Sequence, residues 1–254
     1  MKDLEFLPGI TTVNGYRAIY IRKIGAIVIS DLQIGEELYL AEERGILVPQ
    51  FQLKEMKEDI KKILKRKKPR KLIINGDLKH EFGEASRQEW REVVEFLDSC
   101  KKFVKKIILV RGNHDNYLIP IAKKLGLKVY DPFYLENGFL FLHGHKRVEF
   151  TKDFHTLIIG HEQPAIVFRR GIDRAKVQVI LYGKTKSGKN LICLPAFSPL
   201  ASGVEVNVLN KEELLSPILR EEVEIDELIP IAVDKEIGAL KFPKIKVLRE
   251  LASF

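Results

Sequence analysis

Five short polar clusters hold most of the side chains capable of chemistry in this 254-residue chain. In order they are Asp31, Gly76-Asp77, Gly112-Asn113-His114-Asp115, His143-Gly144-His145 and Gly160-His161-Glu162-Gln163. Only six histidines occur, His80, His114, His143, His145, His155 and His161, and all but His155 lie within or beside these clusters. Carboxylate, amide and imidazole donors gathered in this way suit a divalent metal such as Mn, Fe or Zn. A lone Asp after a strand is usually a helix cap, and a lone buried His usually a core residue with its hydrogen bonds met. The ordered set of five carries the inference.

The elements that must position these clusters are legible as apolar runs. Each cluster follows directly on a run of strand length: Ala26–Ser30, Leu72–Asn75, Ile107–Val110, Phe139–Leu142 and Leu157–Ile159. Helical periodicity covers Phe51 to Lys65 and Ser86 to Phe103, the second opening on Ser86 and Glu89 in a capping-box pattern. Strands alternating with helices predict an α/β layered fold, whose ligand site lies at the carboxyl ends of the strands. Val177–Tyr182 and Leu191–Leu194 read as a hairpin, and Lys244–Leu251 as a late strand. Without repeats or a linker, one domain over residues 1–254 is expected, with residues 204–254 unassigned.

Composition narrows the class. With 45% hydrophobic and 31% charged residues the chain reads as globular rather than disordered. No apolar run approaches the roughly 18 residues of a membrane span, and the N-terminus lacks a signal-peptide layout. Cys100 and Cys193 have no metal or redox spacing. Together these predict a cytoplasmic protein with no membrane partner. The net charge of +8 is uneven: residues 211–254 hold 7 basic and 10 acidic side chains, so the first 210 carry +11. A basic body admits nucleic acid as a partner, although a Lys-rich solvated surface is the plainer reading. Eight Asn and six Gln among abundant Lys, Glu and Ile suggest a thermophilic composition.

The order D-x-H, G-D, G-N-H-D, H-G, G-H-x-H, which these clusters nearly reproduce, resembles the signature of calcineurin-like metallophosphoesterases. The chain is most similar to their small archaeal and bacterial branch related to DNA-repair nucleases, which it also resembles in GDLKH, RGNHD and LPAFSPLASG. The motif core covers residues 26–203. The resemblance implies an α/β fold, a layered αββα sandwich, and two metal ions bridged by an Asp and a hydroxide that attacks phosphorus in line. Carried over, Asp77 is the bridging carboxylate, Asn113, His143 and His161 complete one site, and Asp31 belongs to the other. His114 becomes a general acid or transition-state stabiliser, oriented by Asp115. The implied substrate is a phosphodiester or nucleotide, and the implied ion Mn, Fe, Ni or Zn.

Two positions depart from the pattern. D-x-H reads Asp31-Leu32-Gln33, and G-H-x-H reads Gly160-His161-Glu162-Gln163. Both missing histidines belong to the metal site of Asp31. A Gln carbonyl is neutral and a weak partner for transition metals. One well-bound ion is therefore expected, with the second weak or absent. Three functions follow as alternatives: a phosphoesterase with a modified metal centre, a non-catalytic interaction module, or a nucleic-acid-binding protein that does not hydrolyse. Substrate and oligomeric state stay open.

Other candidates are weaker. Gly183–Asn190 nearly matches a P-loop but has Asn190 in place of the magnesium-binding hydroxyl and joins two strand-like runs, which predicts a hairpin loop. Eight basic residues between Lys61 and Lys71 suit a helix C-terminus. Phe168–Arg174, close behind the last motif, is a candidate for phosphate contacts. His145 reads as a neighbour of the ligands, His80 as a residue at the rim without a role, and His155 as structural. Trp90 and the other aromatics form no stacking ladder.

Overall fold

The computed structural model describes residues 2–46, 49–148, 153–170 and 173–252. The first sheet opens as an antiparallel meander of β1 (Glu5–Leu7), β2 (Ile10–Val13), β3 (Tyr16–Ile21) and β4 (Ala26–Ile29). Helices α1 (Glu36–Arg44) and α2 (Gln52–Lys67) then lead to β5 (Lys71–Asn75), α3 (Arg87–Lys101) to β6 (Lys106–Val110), and α4 (Leu118–Lys124) to β7 (Val129–Tyr130). Strands β4 to β7 lie parallel in sequence order.

The second sheet takes the strands that follow: β8 (Phe133–Glu136), β9 (Phe139–Leu142), β10 (Thr156–Ile159), β11 (Pro164–Arg170), β12 (Asp173–Lys184), β13 (Asn190–Cys193), β14 (Val204–Glu205), β15 (Ile229–Asp234) and β16 (Gly238–Lys241). At its centre β9, β10 and β13 are parallel, so β9 and β10 deliver their C-termini to the same edge. Short helices α5 (Pro217–Glu221) and α6 (Ile245–Ala252) complete the chain. Among the described residues no helix is long and apolar enough to cross a membrane.

Strand side chains alternate between faces, and this alternation builds three apolar layers. On β5, Leu72 and Ile74 meet Met56, Ile60 and Ile63 of α2 and Phe96 and Leu97 of α3. Ile73, between them, points the other way and joins Val28, Phe141, Ile158, Ile180 and Ile192 in the core between the sheets. The outer face of the second sheet, including Leu140, Ile159 and Leu181, is covered by Leu214, Ile218, Leu219, Leu228, Ile245 and Leu248. The layers are helix, sheet, sheet, helix: the αββα sandwich. The acidic C-terminal segment supplies the fourth layer.

Two local expectations need correction. Lys244–Leu251 is helical rather than a strand, because Ile245 and Leu248 fall three residues apart on one face and bury against the second sheet. The capping box of α3 is half-formed. Ser86 Oγ accepts from Glu89 N–H at 3.0 Å, but the Glu89 carboxylate turns instead to the N–H groups of His80 and Glu81. The P-loop-like stretch is a hairpin connection between β12 and β13, closed by Thr185 N–H on Lys189 O at 2.9 Å. The Lys61–Lys71 run is the basic end of α2, finished by Lys68 in the left-handed region, followed by the start of β5.

Candidate metal centre

The ends of β4, β5, β6, β9 and β10 converge, and the five clusters meet there. The backbone is unusual at the junctions. Asp31, Gln33, Asp77, His161 and Gln163 all have φ between 50° and 65°, in the left-handed region that such residues seldom occupy. Non-glycine residues held there in concert mark a site whose surroundings over-determine its shape. Two glycines make the close approach: a Cβ on Gly76 would lie 2.2 Å from His143 Nδ1, and one on Gly112 would lie 2.1 Å from Asp77 Oδ1.

Asp77, His143 and His161 each present one ligand atom within 4.8 Å of the others. The ring of His143 is fully buried, and its Nδ1 lies 3.1 Å from Asn75 O, so Nδ1 carries the proton and Nε2 is the ligand atom. Nε2 faces Asp77 Oδ2 at 3.1 Å without a well-aligned hydrogen bond. Asn113 Oδ1 is buried and has no hydrogen-bond partner. Buried polar atoms are rarely left so, and two at one place, both good donors to a cation, fit a divalent ion. Asp77, Asn113, His143 and His161 would hold it.

The electrostatics of Asp77 and His161 favour the same use. Burial opposes ionisation of Asp77, but His143 and His114 outweigh it, and the carboxyl titrates well below the usual range. Burial lowers His143, yet the charges of Asp77 and Asp31 reverse this and raise it. Burial, then the charge on His143, push His161 down to about 3, so its ring is neutral and free to coordinate. His145 is pushed down to about 4 for the same two reasons, and its ring centroid lies 5.5 Å from that of His143.

Around Asp31 the donor set is different. Its Oδ2 accepts from Ser30 Oγ at 2.6 Å and His161 N–H at 3.1 Å, and its Oδ1 accepts from Gln163 Nε2 at 3.2 Å. Gln33 Nε2 donates to Asp77 Oδ2 at 2.9 Å, while Gln33 Oε1 lies 2.9 Å from His80 Nδ1. An ionised carboxylate can only accept, so each Gln meets its Asp through NH2, a group with no lone pair to offer a metal. Gln52 Nε2 donates to Gln33 O at 2.9 Å and Ser198 Oγ at 3.0 Å, fixing this turn from the start of α2. Burial pushes Asp31 up, opposed by His143 and reinforced by Asp77. These side chains do not fit a second ion as they stand.

His114 Nδ1 hydrogen-bonds the carbonyl of His80, and its Nε2 lies 3.8 Å from Asp77 Oδ2. Asp115 does not orient it. The Asp115 carboxylate accepts from Gly112 N–H at 2.9 Å, Leu78 N–H at 3.0 Å and Lys79 N–H at 3.4 Å, tying the β6 loop to the β5 loop. The His80 carbonyl takes the role expected of Asp115.

Several supporting residues went unrecognised in the sequence. Asn75 Nδ2 donates to Leu142 O and Ile158 O at 3.1 Å each, locking the two sheets together at their site ends. Its signal is a polar residue closing an apolar strand. Glu162 accepts from Leu215 N–H at 3.2 Å and Ser216 N–H at 2.7 Å, and Ser216 Oγ donates to Gly144 O at 2.8 Å. The C-terminal segment thereby braces both histidine loops. His155 bonds only its own surroundings, Thr156 Oγ1 and Asn137 O. The Phe168–Arg174 stretch lies in the β11–β12 hairpin, with Gly171 and Ile172 outside the described residues. Arg174 pairs with Glu205 there and is committed to that carboxylate.

The comparisons agree with this geometry. The Calcineurin-like phosphoesterase family model matches residues 26–191. The fold is similar to the crystal structure of nuclease MPE from Pseudomonas putida, with a TM-score of 0.64 and 18% identity over 94% of this chain and 99% of that one. A weaker likeness links it to YfcE, a phosphoesterase from E. coli, with a TM-score of 0.40 and 17% identity over 85% and 97% of the two chains. No curated protein matches the sequence. With strand ends, ligand cluster and family model coinciding over most of its length, the chain belongs to the calcineurin-like phosphoesterase family.

Proposed function

We propose that the protein is a metal-dependent phosphoesterase, acting on a phosphodiester or nucleotide, with one well-bound divalent ion. The observation that carries this is the cluster of Asp77, His143 and His161 beside the buried, unpartnered Asn113 Oδ1. A divalent ion held there supplies charge neutralisation of the phosphate and a water of lowered pKa. Asp77 keeps its second oxygen on the His114 N–H at 3.0 Å, which holds the β6 loop against the cluster. With Nδ1 bound to the His80 carbonyl, His114 presents Nε2 toward the cluster, where its protonated form can donate to a departing oxygen. The basic first 210 residues favour a polyanionic substrate.

The amides of Gln33 and Gln163 support a second reading, an interaction module that keeps one ion and does not turn over. Hydrolysis of bis(p-nitrophenyl) phosphate across Mn, Ni, Zn and Mg separates the two. Turnover that depends on the ion and is lost in His114→Ala supports the enzyme. No turnover with any ion, at full metal loading, supports the module.

A further inference from the structure

Phe82 is 54% exposed, yet its ring is not loose. Its centroid lies 3.7 Å from that of His114, with the planes 31° apart. One face of the ring thus covers the His114 imidazole, whose Nε2 lies 3.8 Å from Asp77 Oδ2, and the rest stands in solvent at the lip of the candidate centre.

The loop that carries Phe82 is held by buried charge. Lys79 has a side chain 0% exposed, and its ammonium donates to the carbonyls of Glu81 and Gly83, the residues on either side of Phe82. Glu89, also buried, accepts through Oε1 from the N–H groups of His80 and Glu81 at 2.9 Å each. Asn116, in the loop after β6, donates to the carbonyl of Phe82 itself at 3.3 Å. Taking an ammonium and a carboxylate out of water is costly unless hydrogen bonds replace the lost hydration. Here the replacement bonds fall on the backbone around one exposed ring. A phenylalanine needed only to fill space would be turned inward, as Phe96 and Phe141 are.

We propose that Phe82 is a stacking platform for a flat ring in the substrate, a nucleobase or aryl group on the ester oxygen that His114 serves. The proposal rests on the phosphoesterase reading and names the substrate class within it. Phenylalanine offers no hydrogen-bonding edge, so the platform tolerates any base. It is a specificity residue and acts on binding.

The test compares thymidine 5′-monophosphate with 2-deoxyribose 5-phosphate, which share sugar and phosphate and differ by the base. Both are titrated by calorimetry into the full chain loaded with Mn. The parent is expected to bind the thymidine compound about ten-fold more tightly, within the range of base–aromatic stacking. Phe82→Ala should remove that advantage and leave 2-deoxyribose 5-phosphate unchanged, while Phe82→Trp should keep or enlarge it. Equal affinity for the two ligands in the parent, or equal weakening of both in Phe82→Ala, would overturn the platform. Hydrolysis of bis(p-nitrophenyl) phosphate by the parent is measured separately. Its absence would count against the phosphoesterase reading, while the base-dependent difference still decides the role of Phe82.

Discussion

Gln33 Nε2 and His143 Nε2 address the same atom, Asp77 Oδ2, at 2.9 Å and 3.1 Å. In a two-ion centre the bridging carboxylate is shared between cations. In this chain Asp77 Oδ2 is shared between an amide donor, Gln33, and the ring of His143. Gln163 does the equivalent for Asp31 Oδ1. Two neutral N–H donors therefore answer carboxylate charge that a second cation would otherwise answer.

Gln33→His with Gln163→His removes both donors and sets two imidazoles beside Asp31 and Asp77. The double variant is expected to take up a second equivalent of Mn or Zn by calorimetry and to hydrolyse phosphodiesters faster than the parent. Either single change should do much less, since both residues act on one ion and their effects are not additive. A parent faster than the double variant would show that the glutamines are working parts of a one-ion centre.

Glu162 sits between two ligand loops and the C-terminal layer, and its carboxylate is fully buried. Glu162→Ala leaves the N–H groups of Leu215 and Ser216 without their acceptor, a loss expected to lower stability by about 1–3 kcal/mol. Glu162→Gln keeps one acceptor oxygen and should lose less. Denaturant titration of the three proteins checks the order. Equal stability of Ala and Gln variants would remove the bracing role.

The five strand-to-cluster junctions were legible because each is local: an apolar run ends, and a polar cluster begins. That places Asp31, Asp77, Asn113, His143 and His161 at or just beyond strand ends, while the ligand role expected of each came from the resemblance to the phosphoesterase signature. What the sequence hid are contacts through backbone. The His80 carbonyl that fixes His114 and the three N–H groups that hold Asp115 are carried by every residue type, so side-chain pattern says nothing of them. The C-terminal layer was hidden for another reason. Its apolar residues are spread thinly over two short helices and loops, and only the outer face of the second sheet gives them a common partner.

Lys71 on β5 and Glu136 on β8 join the two sheets, with Nζ 2.6 Å from Oε2. Burial pushes the Glu136 carboxyl up, but Lys71 and the Tyr134 hydroxyl outweigh it and hold it below the usual 4.5. A carboxyl depressed by folding adds stability above its unfolded value and loses it as pH falls through the folded one. Glu136→Gln should therefore cost about 1 kcal/mol at neutral pH, and the gap to the parent should close in acid. Denaturant unfolding along a pH series reads this directly; a gap that widens in acid would contradict it.

The most direct measurement is metal stoichiometry. Purified protein, loaded with excess Mn or Zn and dialysed, is assayed for metal per chain alongside His161→Ala. One ion per chain is predicted, lost or greatly weakened in His161→Ala. Two ions retained by the parent would contradict the one-ion account, because the Gln33 and Gln163 amides would then have to leave Asp77 and Asp31.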